Sequence, residues 1–495
     1  MFALLSVSGL LILGRISGFA REIALASTFG VSAISDAAIV VLTLPDLMVS
    51  LILAGGIKAA LIPGLKNTKP QDRQLFVLKS FCVFGIIFVC LGIFVAVNAN
   101  LFLFFLAPSL TQNAVPGLLA GFRLSLVALP LLALLGVASS YLNVIGRFAP
   151  PPLSVCLYNI LIIFYLTVFT SRELGLVGLA LVIIFANLLR LLIQLFFMRG
   201  LLFSLPVRGW ALKTFPDQFL KQFVMGVLSY LIIIGVPIFF RSLYSLGGDG
   251  SLAIFNFSQK LFEFGSAVLV APFVTVIMPK LAAVLGRNSS EFANIIVKSG
   301  VALACLCVVV SAVGIVFIQY YVDLIFLNGA MTDTDVKRIS FLTSIFLLGL
   351  PFFGISQICM VGLYAKGEAF KSFKICLLGF LVSGFFTSVI YQFKGTTFVL
   401  APALGYCLFN IFIALFFVNE FKISLGKYSD YFFRVMKRLI LTLLGIAMVA
   451  IATVYFYEEL TPSLAIAVSL PLTVFFIWLN IDHIKPAFKI VVDDT

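Results

Sequence analysis

The chain is a succession of apolar runs, each about as long as a bilayer is thick. A spanning helix needs about 20 largely apolar residues, and about fourteen stretches meet that length. They lie near 3–29, 33–62, 76–106, 118–145, 153–171, 175–198, 220–243, 252–279, 297–326, 339–364, 373–391, 397–418, 434–456 and 463–481. The 495 residues are 62% hydrophobic and only 11% charged, with a mean hydropathy of +1.19. A soluble domain is about a quarter charged, so no soluble core can hide this much apolar surface. Lipid is the solvent for most of it. The expected fold class is an all-α polytopic membrane protein. The first run carries Arg15 and Arg21 and has no clear cleavage site, so it is expected to be a retained helix rather than a signal peptide.

The loops test the count. With the N-terminus inside and strict alternation, the inside loops collect about twenty-two Lys and Arg and the outside loops about five. Inside fall Lys66, Lys69, Arg73, Lys79, Arg147, Arg199, Arg208, Lys213, Lys280, Arg287, Lys366, Lys371 and the Arg434–Arg438 cluster, among others. Outside fall Arg172, Arg241, Lys337, Arg338 and Lys394. A miscounted helix would have scrambled this alternation from that point on. The net charge of +13 is spread between apolar runs rather than massed on one segment. It therefore fits anionic lipid and membrane topology, not nucleic acid.

The chemistry of enzymes is sparse. There is one histidine, His483, and the eight cysteines fall in or beside apolar runs without a CxxC pair. Such cysteines pack as small hydrophobes, and neither a catalytic triad nor a metal site is expected. No cofactor is expected. Acidic loop clusters, Asp323/Asp333/Asp335 and Glu458/Glu459, have no partner histidine.

Residues 200–220, between the sixth and seventh runs, alternate apolar and charged side chains, as an interfacial amphipathic segment does. On either side lie sets of helices with faintly similar ends: IPGLK against MPKLA, and NVIGR against YAKGE. The expected organisation is an N-lobe over 1–199, the linker 200–220, a C-lobe over 221–420 in parallel pseudo-repeat, and two last helices with a tail over 421–495. Transporters place their substrate between such halves.

Several charges interrupt the apolar runs: Arg15, Arg21, Lys58, Arg123, Arg190 and Lys260, with Asp36, Asp46 and Glu263. A charge at mid-bilayer costs about 2.5–3.5 kcal/mol on insertion scales, so such residues face a bundle interior or a wet cavity. Arg123 and Arg190 are expected to snorkel or to form structural pairs. Arg15, Arg21 and Asp36 are expected to meet in one cavity, with Asp36 orienting an arginine. A cavity lined by cations suits an anion, and the arginine fork matches phosphate oxygens.

At these residues the sequence resembles the MurJ/MviN lipid II flippase family. GRISGFARE (Gly14 to Glu22) followed by SDAAIVVLTLPDL (Ser35 to Leu47) resembles the family's N-terminal signature. LAPSL, YLNVIGRFAPPPLSVCLYN and LYAKGEAFKSFKI follow in the family's order. The resemblance implies two lobes of about six helices around a central cavity, two further helices forming a lipid groove, and alternating access. It implies transport of an undecaprenyl-diphosphate-linked disaccharide-pentapeptide from the inner to the outer leaflet, with Arg15, Arg21 and Asp36 as cavity residues. The expected partners are that lipid-linked oligosaccharide and membrane lipids, for a monomer in the bacterial inner membrane with both termini cytoplasmic. Rival readings are an O-antigen or exopolysaccharide flippase and, more remotely, a multidrug exporter of the same superfamily, which would need an acidic cavity.

The departures are specific. Val49 and Ser50 stand where the family has an arginine pair, and Ala54 where it has Glu. Gln259 and Lys260 stand where it has Asp-Arg, and Lys58 adds a cation the pattern lacks. Gln259, Lys260 and Lys58 are therefore counted among the candidate substrate-binding residues. The topology is directly checkable: a reporter fused at Thr495 is expected to read cytoplasmic, and a periplasmic reading contradicts the fourteen-span count.

Overall fold

The computed structural model describes residues 2–50, 61–62, 65, 68–69, 72–112, 115–169, 175–199, 219–285, 289–392 and 396–425. Every regular element among them is a helix. In chain order these are α1 (Phe2–Phe29), α2 (Ala33–Ser50), α3 (Arg73–Val97), α4 (Ala99–Leu106), α5 (Pro108–Gln112), α6 (Leu118–Ser125), α7 (Ala128–Val144) and α8 (Pro150–Val168). There follow α9 (Gly175–Phe197), α10 (Phe219–Ser245), α11 (Ser251–Val284), α12 (Ser289–Phe326), α13 (Asp333–Ala365), α14 (Ala369–Tyr391) and α15 (Thr396–Leu425). The protein is an all-α polytopic membrane protein. Among the described residues nine helices or joined helix pairs are long and apolar enough to span a bilayer. The fourteen-run count is consistent with them. The last two runs, the interfacial linker 201–218 and Lys58 lie outside the described residues.

Some boundaries differ from the runs for local reasons. The third run is two helices, broken at Asn98, whose side-chain amide donates to the Phe94 carbonyl at 2.8 Å. The fourth is also two, α6 and α7. α13 starts before its run because Thr332 and Asp335 form a capping box, each satisfying the other's backbone N–H. The acidic cluster there thus opens a helix rather than only decorating a loop. Arg241, expected in an outside loop, is buried within α10, and its Nη2 donates to Thr43 Oγ1 at 2.7 Å.

The chain divides into two compact units. The first comprises Met1–Ala253 with Asn328–Met331; the second comprises Ile254–Leu327 and the described residues from Thr332 on. In the first unit α1 packs on α8, α3 on α7, and α9 on α6, α7 and α8. Gly121 allows the α6–α9 approach: a Cβ there would sit 2.8 Å from the Leu176 carbonyl oxygen. α10 packs on α4 and α5, where Ser242 Oγ donates to the Phe105 carbonyl at 2.5 Å. In the second unit α13 is the core element, lying against α12 and α15. Phe262, Phe346 and Tyr406 meet edge to face there. The outward faces are apolar, as on α3, where Ile86 is 65% and Val97 73% exposed. In water such a surface would mark a binding patch; in lipid it is the ordinary exterior.

Because the α6–α9 contact is backbone against backbone, Gly121→Val is expected to destabilise the protein by about 1–3 kcal/mol through overpacking. Thermal unfolding in detergent reads this as a lowered midpoint; an unchanged midpoint contradicts the packing described.

Candidate functional site

The first unit holds a buried cluster of ionisable groups from four helices. Arg21, two turns before the end of α1, is 6% exposed. Its Nη2 donates to Asp46 Oδ2 at 2.7 Å and its Nη1 to Asp46 Oδ1 at 3.3 Å, a forked contact with α2. The same Nη2 reaches Glu22 Oε1 at 2.9 Å. The guanidinium lies 5.9 Å from the Tyr158 ring centre on α8, and that of Arg190 on α9 lies 5.2 Å from the same ring. Arg190 Nη1 donates to Asn187 Oδ1 at 2.9 Å. Two arginines and two carboxylates thus share one site and balance in formal charge. The Tyr158 hydroxyl and the Nε atoms of Arg21 and Arg190 are buried and make no hydrogen bond within the described residues.

Local sequence explains these positions. Pro45 stands immediately before Asp46 in α2 and leaves the preceding turn one hydrogen bond short. Asn187, Arg190 and Gln194 recur at helical spacing on α9, so one stripe of that helix is polar. Gln194 completes the stripe, accepting from Ser139 Oγ of α7 at 3.0 Å and donating to Ser154 Oγ of α8 at 3.2 Å. Asn159 Nδ2 donates to Ser17 Oγ at 3.0 Å and ties α8 to α1. The cluster is therefore held by buried polar bonds, which lipid makes obligatory.

Arg21 is the centre of the cluster. Arg15 is exposed, six residues earlier and about 120° round α1 from Arg21. Asp36 does not orient an arginine. Its carboxylate is fully buried and accepts from the backbone N–H groups of Gly250 at 2.8 Å and Ala253 at 2.7 Å. It caps the first turn of α11, where helix N–H groups lack intrahelical partners and the helix dipole favours an anion. Asp46, ten residues on, takes the arginine instead. Arg190 does not snorkel; it is 2% exposed and belongs to the cluster. Arg123 is exposed, and its Nε donates to the Ala96 carbonyl at 3.2 Å. In the second unit Lys260 Nζ reaches Glu263 Oε2 at 2.8 Å and Gln259 Nε2 reaches Glu263 Oε1 at 2.5 Å. Tyr158, Glu22 and Arg190 had a readable signal, polar groups at helical spacing inside apolar runs, but which partners they find across helices is a tertiary fact.

The sequence profile of the family described as lipid II flippase MurJ matches residues 25–476. The chain belongs to that family. A probable lipid II flippase MurJ of Buchnera aphidicola subsp. Schizaphis graminum (strain Sg) is 23% identical over 477 residues, covering 92% of this chain and 90% of its own. The lipid II flippase MurJ of Burkholderia cenocepacia is 25% identical over 433 residues, covering 83% of each chain. Among solved structures, a lipid II flippase MurJ in an inward closed conformation shares the fold with a TM-score of 0.75, at 18% identity, over 97% of this chain and all of its own. An inward-facing multidrug resistance MATE transporter shares it at 0.65 over 86% of this chain and 96% of its own. MurJ flippases are transporters, and this family member is a multi-pass membrane protein. Its α2 carries Val49 and Ser50 in place of the expected arginine pair, and it places Asp46 on Arg21.

The cap on α11 generates a test. Asp36→Ala removes the acceptor of two buried N–H groups and is expected to cost on the order of 2–5 kcal/mol. Asp36→Asn keeps one acceptor oxygen and is expected to cost less. Thermal unfolding of the purified variants gives the order; an alanine variant as stable as the parent contradicts the capping role.

Proposed function

We propose that this protein is the lipid II flippase of its cell, moving the undecaprenyl-diphosphate-linked disaccharide-pentapeptide from the inner to the outer leaflet of the bacterial inner membrane by alternating access. The observation that carries this reading is the family match across residues 25–476, with full-length relatives of the same name. The ionisable cluster gives the reading a chemical basis. A lipid-linked diphosphate is an anion that must leave water, and a forked guanidinium is the side chain best matched to its oxygens. Arg21 is the proposed principal contact. Arg15, Lys58, Gln259 and Lys260 are proposed further substrate contacts, and Asp36, on α2, a residue that fixes the start of α11.

The lobes over 1–199 and 221–420, both termini in the cytoplasm, and a monomeric state belong to the same proposal. Two basic side chains at helix ends support the alternation on which the orientation rests, because each joins ends that strict alternation puts on one side. Arg147 Nη1 donates to the Phe197 carbonyl at 2.5 Å, at the C-terminal end of α9, where a cation meets the helix dipole favourably. Lys371 bridges Glu368 and Glu420, joining α14 to α15.

Depletion of the protein in growing cells is expected to make lipid II accumulate, read by extracting and identifying lipid-linked precursors. Accumulation of a different lipid-linked glycan assigns the protein to that glycan instead. In the same cells Arg21→Lys, which keeps the charge and loses the fork, is expected to complement poorly, and Lys260→Arg to complement well. Lys58→Ala is expected to lower transport; parental transport by both Lys58→Ala and Lys58→Gln removes Lys58 from the site.

A further inference from the structure

Asp46 occupies the arginine that the substrate would need. Both oxygens of its carboxylate lie on Arg21, at 2.7 and 3.3 Å, while Glu22 takes the same Nη2 from the other side. The two carboxylates differ in access: the Glu22 side chain is 5% exposed and that of Asp46 37%. Arg21 itself is buried behind them. An incoming diphosphate therefore meets Asp46 first, and it cannot join two ionised carboxylates, Asp46 and Glu22, on Arg21 without strong like-charge repulsion in a medium that screens poorly.

We propose that Asp46 is a proton-binding site linked to anion binding: Asp46 releases Arg21 on taking up a proton, and the diphosphate of the substrate takes its place. This rests on the reading of Arg21 as the diphosphate contact. The balance is simple. One proton moves from solvent to the Asp46 carboxylate, the Arg21–Asp46 ion pair breaks, and the guanidinium fork pairs with phosphate oxygens instead. No covalent bond to the substrate changes. Without the proton, replacing Asp46 by a diphosphate would leave three anionic groups around Arg21. With it, Glu22 and the diphosphate face Arg21 and Arg190. Three buried donors, the Tyr158 hydroxyl and the Nε–H groups of Arg21 and Arg190, make no hydrogen bond within the described residues, and an acceptor-rich ligand would engage them.

The surroundings of Asp46 allow the exchange. From α1 it meets Arg21, which Glu22 also pairs, and behind them the Tyr158 ring of α8 lies against the guanidinium groups of both Arg21 and Arg190 of α9. α10 contributes Arg241, bonded to Thr43 one turn before Asp46. α6 contributes Arg123, directed to the Ala96 carbonyl. α7 carries no charged residue and one titratable group, Tyr141, five residues C-terminal to Gly136 and away from Asp46 in sequence; α5 carries neither kind. The Asp46 carboxylate holds the Arg21 fork with both oxygens, so a diphosphate that takes the fork displaces that carboxylate, and a proton on Asp46 offsets the negative charge the ligand brings. Proton and anion thus bind cooperatively, and linkage makes the coupling reciprocal.

The test measures binding of geranylgeranyl diphosphate, with geranylgeraniol as the control for chain binding, to the detergent-purified full chain between pH 6 and pH 8. For the parent protein the affinity is expected to rise severalfold as the pH falls, beyond the ligand's own titration. Binding at pH 7.5 in weak buffer is expected to take up about one proton per diphosphate. Asp46→Asn is expected to bind at pH 8 as tightly as the parent at pH 6, to lose the extra pH dependence and to take up no such proton. Equal pH profiles and equal proton uptake in parent and variant overturn the linkage while leaving Arg21 as the contact. Diphosphate binding no stronger than that of the alcohol in both folded proteins, at every pH, overturns the Arg21 reading and the linkage with it. Should Asp46→Asn not fold, the parent's proton uptake decides: none overturns the proposal.

Discussion

Lipid offers no hydrogen bonds, and most features of this chain follow from that deficiency. Backbone groups in the bilayer core must be satisfied within the segment, so each long apolar run becomes a helix or a pair of helices. Polar side chains inside the runs must find protein partners. Gln194 finds Ser139 and Ser154, Asn159 finds Ser17, and Arg241 finds Thr43. The same rule places Asp36 on the free N–H groups that open α11. Charges that would be costly alone persist because they are shared among neighbours, and the Arg21 cluster is the densest instance described.

The helical architecture was legible because its signal is one-dimensional. Apolar length and the distribution of lysines and arginines depend on neighbours in sequence, and the helices match the runs to within a few residues in most cases. The breaks at Asn98 and between Ser125 and Ala128 were not read from apolar length, because the few polar residues there, Asn98 and Asn100, then Arg123 and Ser125, do not end the apolar runs. For the cluster, the sequence identified which residues were out of place but not whom they would meet. Asp36 and Asp46 share one helix and both qualify as partners for Arg21; about 15 Å of helix rise separates them, and only the packing of α1 on its neighbours selects Asp46. Arg190 looked able to snorkel. The stripe of Asn187 and Gln194 on its own face was the overlooked sign that it points inward.

The departures from the family pattern take on meaning in this light. A helix that lacks the arginine pair at Val49 and Ser50 has less positive charge with which to hold an anion. In this chain it also presents a carboxylate, Asp46, to Arg21 of α1. A weaker, self-masked grip is compatible with transport, because a carrier must release its cargo on the far side as well as bind it on the near side. Binding one state of the cycle more tightly than the other moves the equilibrium, whereas equal tightness in both moves nothing.

The proposed activity is transbilayer movement of lipid II by this protein alone. It is tested most directly by reconstituting the purified chain into vesicles loaded with lipid II and following the fraction exposed to a membrane-impermeant reagent. The initially protected pool is expected to become accessible with time, and the rate to fall when unlabelled lipid II competes. A protected pool that stays as inaccessible as in protein-free vesicles, with the protein folded and inserted, would contradict it.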